Sequence, residues 1–101
     1  NINDNYLIFS GIGNSGNFKK ILKKNNFNIV DEIIFPDHHV YKNIEIENII
    51  KKAEDKNLKI ITTEKDFVKI PKEYSNNIKY LNLNLKIHDE KKLINFLKKS
   101  L

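Results

Sequence analysis

Short apolar runs alternate with stretches of helical periodicity along this chain, and the period switches regularly from one to the other. Tyr6-Leu7-Ile8-Phe9 is continuously apolar, the pattern of a strand covered on both faces. Phe18, Ile21 and Leu22 follow at helical spacing, leaving Lys19, Lys20, Lys23 and Lys24 for the wet side. Ile29-Val30 and Ile33-Ile34-Phe35 predict a second strand, interrupted by Asp31 and Glu32 as suits a sheet edge or an exposed start. Ile46, Ile49, Ile50 and Ala53 repeat at i, i+3, i+4 and i+7 and predict a helix over 43–56. Leu58 to Thr63 reads as a third strand. Beyond Pro71, Ile78 to Leu85 alternates as a fourth, and Leu93, Ile94, Leu97 and Leu101 predict a closing helix capped by Asp89.

The order β-α-β-α-β-β-α places the chain in the α/β class. It predicts a three-layer, Rossmann-like domain with a mainly parallel four-stranded sheet, because right-handed crossovers leave few other ways to cover both sheet faces. Either direction is open to the last strand. With 101 residues, 40% of them hydrophobic, the chain suits a single domain, 1–101, able to bury roughly 60–70% of its unfolded surface. Only the polar start, Asn1 to Asn5, reads as frayed, or as a place where a larger protein was cut.

Composition narrows the function classes. Absence of Cys excludes disulfides and thiolate metal sites. No apolar run approaches the roughly 20 residues of a membrane span, and no signal peptide opens the chain, so it reads as soluble. The net charge of +5 comes from 18 basic residues that are all Lys. Without the planar fork of Arg, and without a stacking platform of aromatics, scattered lysines read as a solvated surface, and no nucleic-acid partner is expected.

Candidate chemistry lies in three polar clusters, each directly after a predicted strand: Gly11-Ile12-Gly13-Asn14, Pro36-Asp37-His38-His39 and Glu64-Lys65-Asp66. In a parallel sheet the carboxyl ends of the strands share one edge, so the clusters are expected to converge there. Gly11, Gly13 and Gly16 spell G-x-G-x-x-G between strand and helix, with Asp37 near the place of a ribose-binding acid. That pattern allows a stand-alone dinucleotide-binding module. The same glycines equally serve a strand-to-helix turn at positive φ, with Asn14 or Ser15 as helix cap. In the second cluster a carboxylate stands beside two imidazoles, an arrangement suited to proton transfer or phosphate contact. A metal site is not expected, since adjacent side chains diverge and the remaining histidine, His88, lies far along the chain. In the third cluster, Thr62 and Thr63 with Glu64, Lys65 and Asp66 offer hydroxyl and charge contacts to a ligand, or Glu64, Lys65 and Asp66 merely form a salt-bridged turn. No G-x-x-x-x-G-K-[ST] occurs anywhere, so any nucleotide phosphate cradle lies elsewhere.

Together, F-S-G-I-G-N at Phe9 to Asn14, F-P-D-H-H-x-Y at Phe35 to Tyr41 and T-T-E-K-D-x-V at Thr62 to Val68 resemble the C-terminal region of tetraacyldisaccharide 4'-kinase, the lipid A 4'-kinase family of Gram-negative bacteria. The likeness covers nearly the whole chain. It departs at Ser15, where the family usually has Pro, and at Phe18-Lys19, where an aromatic pair is usual. The resemblance implies transfer of phosphate from ATP, with Mg²⁺, to the 4'-hydroxyl of a tetraacyldisaccharide 1-phosphate at the inner face of the cytoplasmic membrane. It implies that the P-loop domain, with the Mg²⁺ ligands and the principal catalytic Asp, is the N-terminal partner absent from this chain. This chain would then bind no ATP or Mg²⁺ alone, contain no metal site and be inactive in isolation. By the same resemblance Asp37 and His38 are the catalytic candidates, with His38 ahead of His39. Gly11, Gly13, Asn14, His39, Glu64, Lys65 and Asp66 would line the cleft for nucleotide and lipid A precursor. Gly16 would complete the glycine fingerprint by accident.

Overall fold

The computed structural model describes residues 4–82. Strand β1 (Asn5–Gly11) leads straight into helix α1 (Ile12–Lys24). Strand β2 (Asn28–Phe35), helix α2 (Asn43–Asp55) and strand β3 (Lys59–Thr63) follow, then a single helical turn α3 (Glu64–Phe67), a 3₁₀ helix (Lys72–Asn77) and strand β4 (Ile78–Leu81). The sheet order is β2-β1-β3-β4 and every pairing is parallel. That settles the direction of β4 and bears out the α/β class. The predicted continuation of the fourth strand over 83–85, His88, and the closing helix with its Asp89 cap lie outside the described residues.

Strand β1 is central, and its alternate side chains feed two separate cores. Tyr6 and Ile8 face α1, where they pack with Phe18, Leu22, Phe27, Ile61 and Leu81. Leu7 and Phe9 face α2, packing with Ile46, Ile49, Ala53, Ile60 and Tyr41 among others. One helix per face is what two right-handed crossovers on opposite sides of β1 require. Each fully buried side chain of this size contributes about 1.5–3 kcal/mol relative to exposure.

Asp31 and Glu32 interrupt β2 because it is an edge strand, and their side chains reach lysines of both helices. Asp31 pairs with Lys56 at 2.7 Å and Lys52 at 3.8 Å, while Glu32 pairs with Lys19 at 2.9 Å. The hydrogen bond from Lys56 is the main reason that the Asp31 carboxyl titrates below its ordinary value. Val30 is the extra residue where the register slips, since Tyr6 faces Ile29 and Leu7 faces Asp31.

Both long helices stop on an asparagine where many proteins place glycine. Asn26 (φ 67°) and Asn57 (φ 57°) adopt the left-handed conformation. The Phe27 N–H then donates to the Leu22 carbonyl and the Leu58 N–H to that of Ala53, the Schellman pattern. These stops return the chain to the start of β2 and β3, which puts the ends of those strands on the edge where the polar clusters lie.

Candidate functional site

The glycine cluster is the first turn of α1, not a loop. Gly11 is the N-cap, with ordinary extended angles (φ −70°, ψ 149°), and none of the described glycines has positive φ. The expectation of a positive-φ turn is therefore overturned. So is capping by Asn14 or Ser15: no side chain caps α1, and the buried Ser15 hydroxyl donates to the Ile12 carbonyl. The side-chain contact at the helix start comes from far along the chain, where the Asp66 carboxylate accepts the N–H of the N-cap residue Gly11 at 3.2 and 3.3 Å. A carboxylate beside the first turn also meets the positive end of the helix dipole.

Asp66 is 3% exposed and joins all three clusters. Besides Gly11 it accepts the Tyr41 hydroxyl at 3.0 Å and the Thr63 hydroxyl at 2.5 Å, while its own N–H donates to Thr63 Oγ1 at 3.1 Å. Burial, and then the Asp66 carboxylate, raise the Tyr41 hydroxyl far above the ordinary tyrosine value, which keeps it a donor. The salt-bridged turn considered for Glu64, Lys65 and Asp66 does not form. Asp66 turns inward, while Lys65 is exposed and Glu64 partly so, neither with an ion-pair partner among the described residues.

The second cluster divides between inside and outside. Phe35 stacks on His39 (4.7 Å, 22°), and Tyr41 meets Phe35, His39 and Phe9 edge-on at 5.0, 5.1 and 5.7 Å. His39 Nε2 lies 2.9 Å from Glu45 Oε1, so a carboxylate of α2, and not Asp37, orients this ring. Asp37 and His38 stand outside the aromatic cluster, exposed, with no hydrogen bond to one another among the described residues. Asp37 instead lies over the start of α1, where a β-carbon at Gly13 would be 3.1 Å from its Oδ1. His38 holds φ 59°, left-handed backbone that costs a side-chain-bearing residue about 1–2 kcal/mol. Backbone strain of this kind clusters at functional sites.

Glu45 also accepts the Lys42 N–H at 2.9 Å, half of a capping box at the start of α2. That bond first, and then the one from His39, hold its carboxyl below the ordinary value. A depressed folded-state pKa adds stability above the unfolded pKa and loses it as pH falls through the folded one. The stability difference between the wild type and Glu45→Gln is therefore expected near neutrality and expected to vanish in acid below the usual carboxylate range. Urea unfolding across a pH series checks this, and a pH-independent difference would contradict it.

Gly16 lies exposed inside α1, and a β-carbon added to it would meet no atom from outside its own stretch of helix within 4 Å. In a dinucleotide fingerprint the third glycine permits close helix–strand packing; here no strand approaches it, so that reading is not favoured. Gly16→Ala is expected to stabilise the protein by about 0.5–1 kcal/mol through helix propensity alone. A loss in denaturant unfolding would contradict the open position.

The sequence-predicted residues are thus sorted. Gly11 and Asp66 are joined directly, and Gly13 adjoins Asp37. His38 projects from the edge, His39 is locked beneath it, and Asn14, Glu64 and Lys65 have no hydrogen-bond partner for their side chains among the described residues. Tyr41 and Glu45 were missed as site residues, whereas Thr63, read as a hydroxyl contact to a ligand, donates to Asp66 instead. Tyr41 was visible as the last letter of F-P-D-H-H-x-Y, whereas only the fold brings Glu45 to His39.

A doubly wound parallel α/β domain, with its polar loops gathered at the carboxyl ends of β1, β2 and β3, is a class that presents ligands at that edge. Comparison with known proteins supplies the rest. The family described as Tetraacyldisaccharide-1-P 4'-kinase matches residues 2–101, and the chain belongs to it. Among relatives named Tetraacyldisaccharide 4'-kinase, that of Pelagibacter ubique is 44% identical over 91 residues, covering 90% of this chain and 29% of the relative. That of Rickettsia canadensis is 44% identical over 86 residues, and that of Rickettsia felis 41% over 85, each covering 84% of this chain and 26% of the relative. The chain thus spans between a quarter and a third of the length of these relatives and corresponds to their C-terminal part. No solved structure matches it. Among the described residues no helix is long and apolar enough to cross a membrane.

Proposed function

We propose that this chain forms one wall of the active-site cleft of an ATP-dependent kinase that phosphorylates the 4'-hydroxyl of a tetraacyldisaccharide 1-phosphate in lipid A biosynthesis, at the cytoplasmic face of the inner membrane. The partner is the remainder of the same kinase, with its P-loop. The observation that supports this reading is the contrast within F-P-D-H-H-x-Y. Phe35, His39 and Tyr41 lock the loop inward, and Asp37 and His38 are left exposed at the edge, His38 on strained backbone.

In this reading His38 meets negative charge on the transferring phosphoryl group or assists the catalytic Asp of the partner domain, acting from a fixed position. Asp37 lies against the start of α1. Gly13 leaves room for that approach, and Gly11 and Asp66 fix the helix start itself. Among the described residues no group of three or more His, Asp or Glu side chains is placed to hold a metal ion, and the sequence has no phosphate-cradling P-loop. Mg²⁺ and ATP, in its P-loop cradle, are assigned to the remainder of the kinase by the family resemblance. When bound there, they supply the charge neutralisation that phosphoryl transfer requires.

The purified 101-residue chain is accordingly expected to show no ATP turnover. Turnover above the buffer blank, abolished by His38→Ala, would overturn the assignment of the nucleotide cradle to the partner domain.

A further inference from the structure

Beside the β2–α2 loop lies a cavity of about 250 Å³ lined by His38, His39, Val40, Tyr41 and Lys69. Its charge balance is one-sided. The side chains of Lys69 and His38 have no ion-pair or hydrogen-bond partner among the described residues. Among the described residues no carboxylate lines it: Asp66 is engaged by Gly11, Tyr41 and Thr63, Glu45 by His39 and the Lys42 N–H, and Glu64, a turn before Lys69, is not among the lining residues. Asp37, the remaining acid of the loop, lies over Gly13. Lys69 is also placed by the same device as the rest of the edge. Its N–H donates to the Asp66 carbonyl at 3.0 Å, and the flanking Val68 and Ile70 N–H groups donate to Glu64 and Phe67, so α3 runs on as a hydrogen-bonded turn. An unpaired lysine ammonium that lines the same cavity as an exposed imidazole offers it two donors suited to an anion.

We propose that this cavity is a subsite for a phosphoryl anion, with the Lys69 ammonium as its charge and His38 as the neighbouring donor. The inference rests on the kinase reading only for the source of the anion. Two sources share this chemistry: a phosphate of the nucleotide, and the 1-phosphate of the sugar acceptor. Lys69 thereby becomes a binding residue that the T-T-E-K-D-x-V motif, ending at Val68, does not include.

The test is an NMR titration of the 101-residue chain with inorganic phosphate, then in separate arms with metal-free ATP and with glucosamine 1-phosphate, at constant ionic strength. Expected are saturable shifts at His38, Tyr41 and Lys69, so that the chain by itself holds a phosphoryl anion, against the expectation from the resemblance that it binds no ATP alone. Affinity should weaken about five- to tenfold in Lys69→Gln, the loss of one charge-assisted contact, and stay unchanged in Lys20→Ala, a lysine on the exposed face of α1. Stronger binding of ATP than of the sugar phosphate assigns the subsite to the nucleotide, and the reverse to the acceptor. Shifts that sodium chloride reproduces, or that persist equally in a folded Lys69→Gln variant, would overturn the proposal. The kinase reading would survive that result, because phosphoryl transfer by the longer protein is measured separately.

Discussion

Replacing Asp66 with Ala is expected to cost about 3–5 kcal/mol, the range for leaving buried charged or polar partners uncompensated. Small domains have total stabilities of about 5–15 kcal/mol, so the variant should be close to unfolding. The reason is geometric. One buried carboxylate accepts from Gly11 on β1, Tyr41 before α2 and Thr63 at the end of β3. Alanine would strand a backbone N–H and a phenol in the interior at once. Asp66→Asn should fall between, since its amide keeps one acceptor but turns an NH₂ toward groups that are themselves donors. Tyr41→Phe should cost about 1–2 kcal/mol, because it removes one donor and leaves the other contacts in place. Urea unfolding monitored by tyrosine fluorescence and circular dichroism measures all three. A loss below about 1 kcal/mol for Asp66→Ala would show that water replaces the carboxylate, against its burial.

His38→Ala is expected to lower phosphoryl transfer at least about a hundredfold, near 3 kcal/mol of transition-state stabilisation. The setting is a full-length kinase carrying this chain, for instance a chimera in which it replaces the matching segment of the Pelagibacter ubique relative. The backbone supplies a control that separates chemistry from folding. At φ 59° glycine is unstrained, so His38→Gly should be at least as stable as wild type and yet equally inactive. His39→Ala should behave differently. Loss of the ring that stacks on Phe35 and meets Glu45 disturbs the aromatic cluster, so its activity should fall together with stability. Activity retained in His38→Gly but lost in His39→Ala would move the chemical role to the inner ring.

Much of the fold was legible because the sequence obeys simple periods. The apolar run Tyr6 to Phe9 marked the central strand, the acids in β2 marked an edge, and the Ile46-Ile49-Ile50-Ala53 stripe predicted α2 to within one residue of its observed end. What could not be read was the start of α1. Glycines after a strand argue for a loop, and here they begin the helix, whose N-cap residue Gly11 is held by a carboxylate 55 positions away. At the site, the D-H-H pattern suggested that neighbours in sequence act together. The structure pairs across elements instead: His39 with Glu45, Asp37 with Gly13, and Asp66 with Gly11 and Tyr41. Adjacent side chains on a tight loop diverge, so contacts of this kind follow from topology, which places the loops, and not from spacing.

The most direct test of this chain as a wall of the kinase cleft is 4'-phosphorylation of tetraacyldisaccharide 1-phosphate, assayed with three proteins: the chimera, the Pelagibacter ubique kinase truncated before the matching segment, and this chain alone. Transfer by the chimera and by neither part is the expected result. A truncated kinase as fast as the chimera, or a folded chimera that transfers nothing, would contradict it.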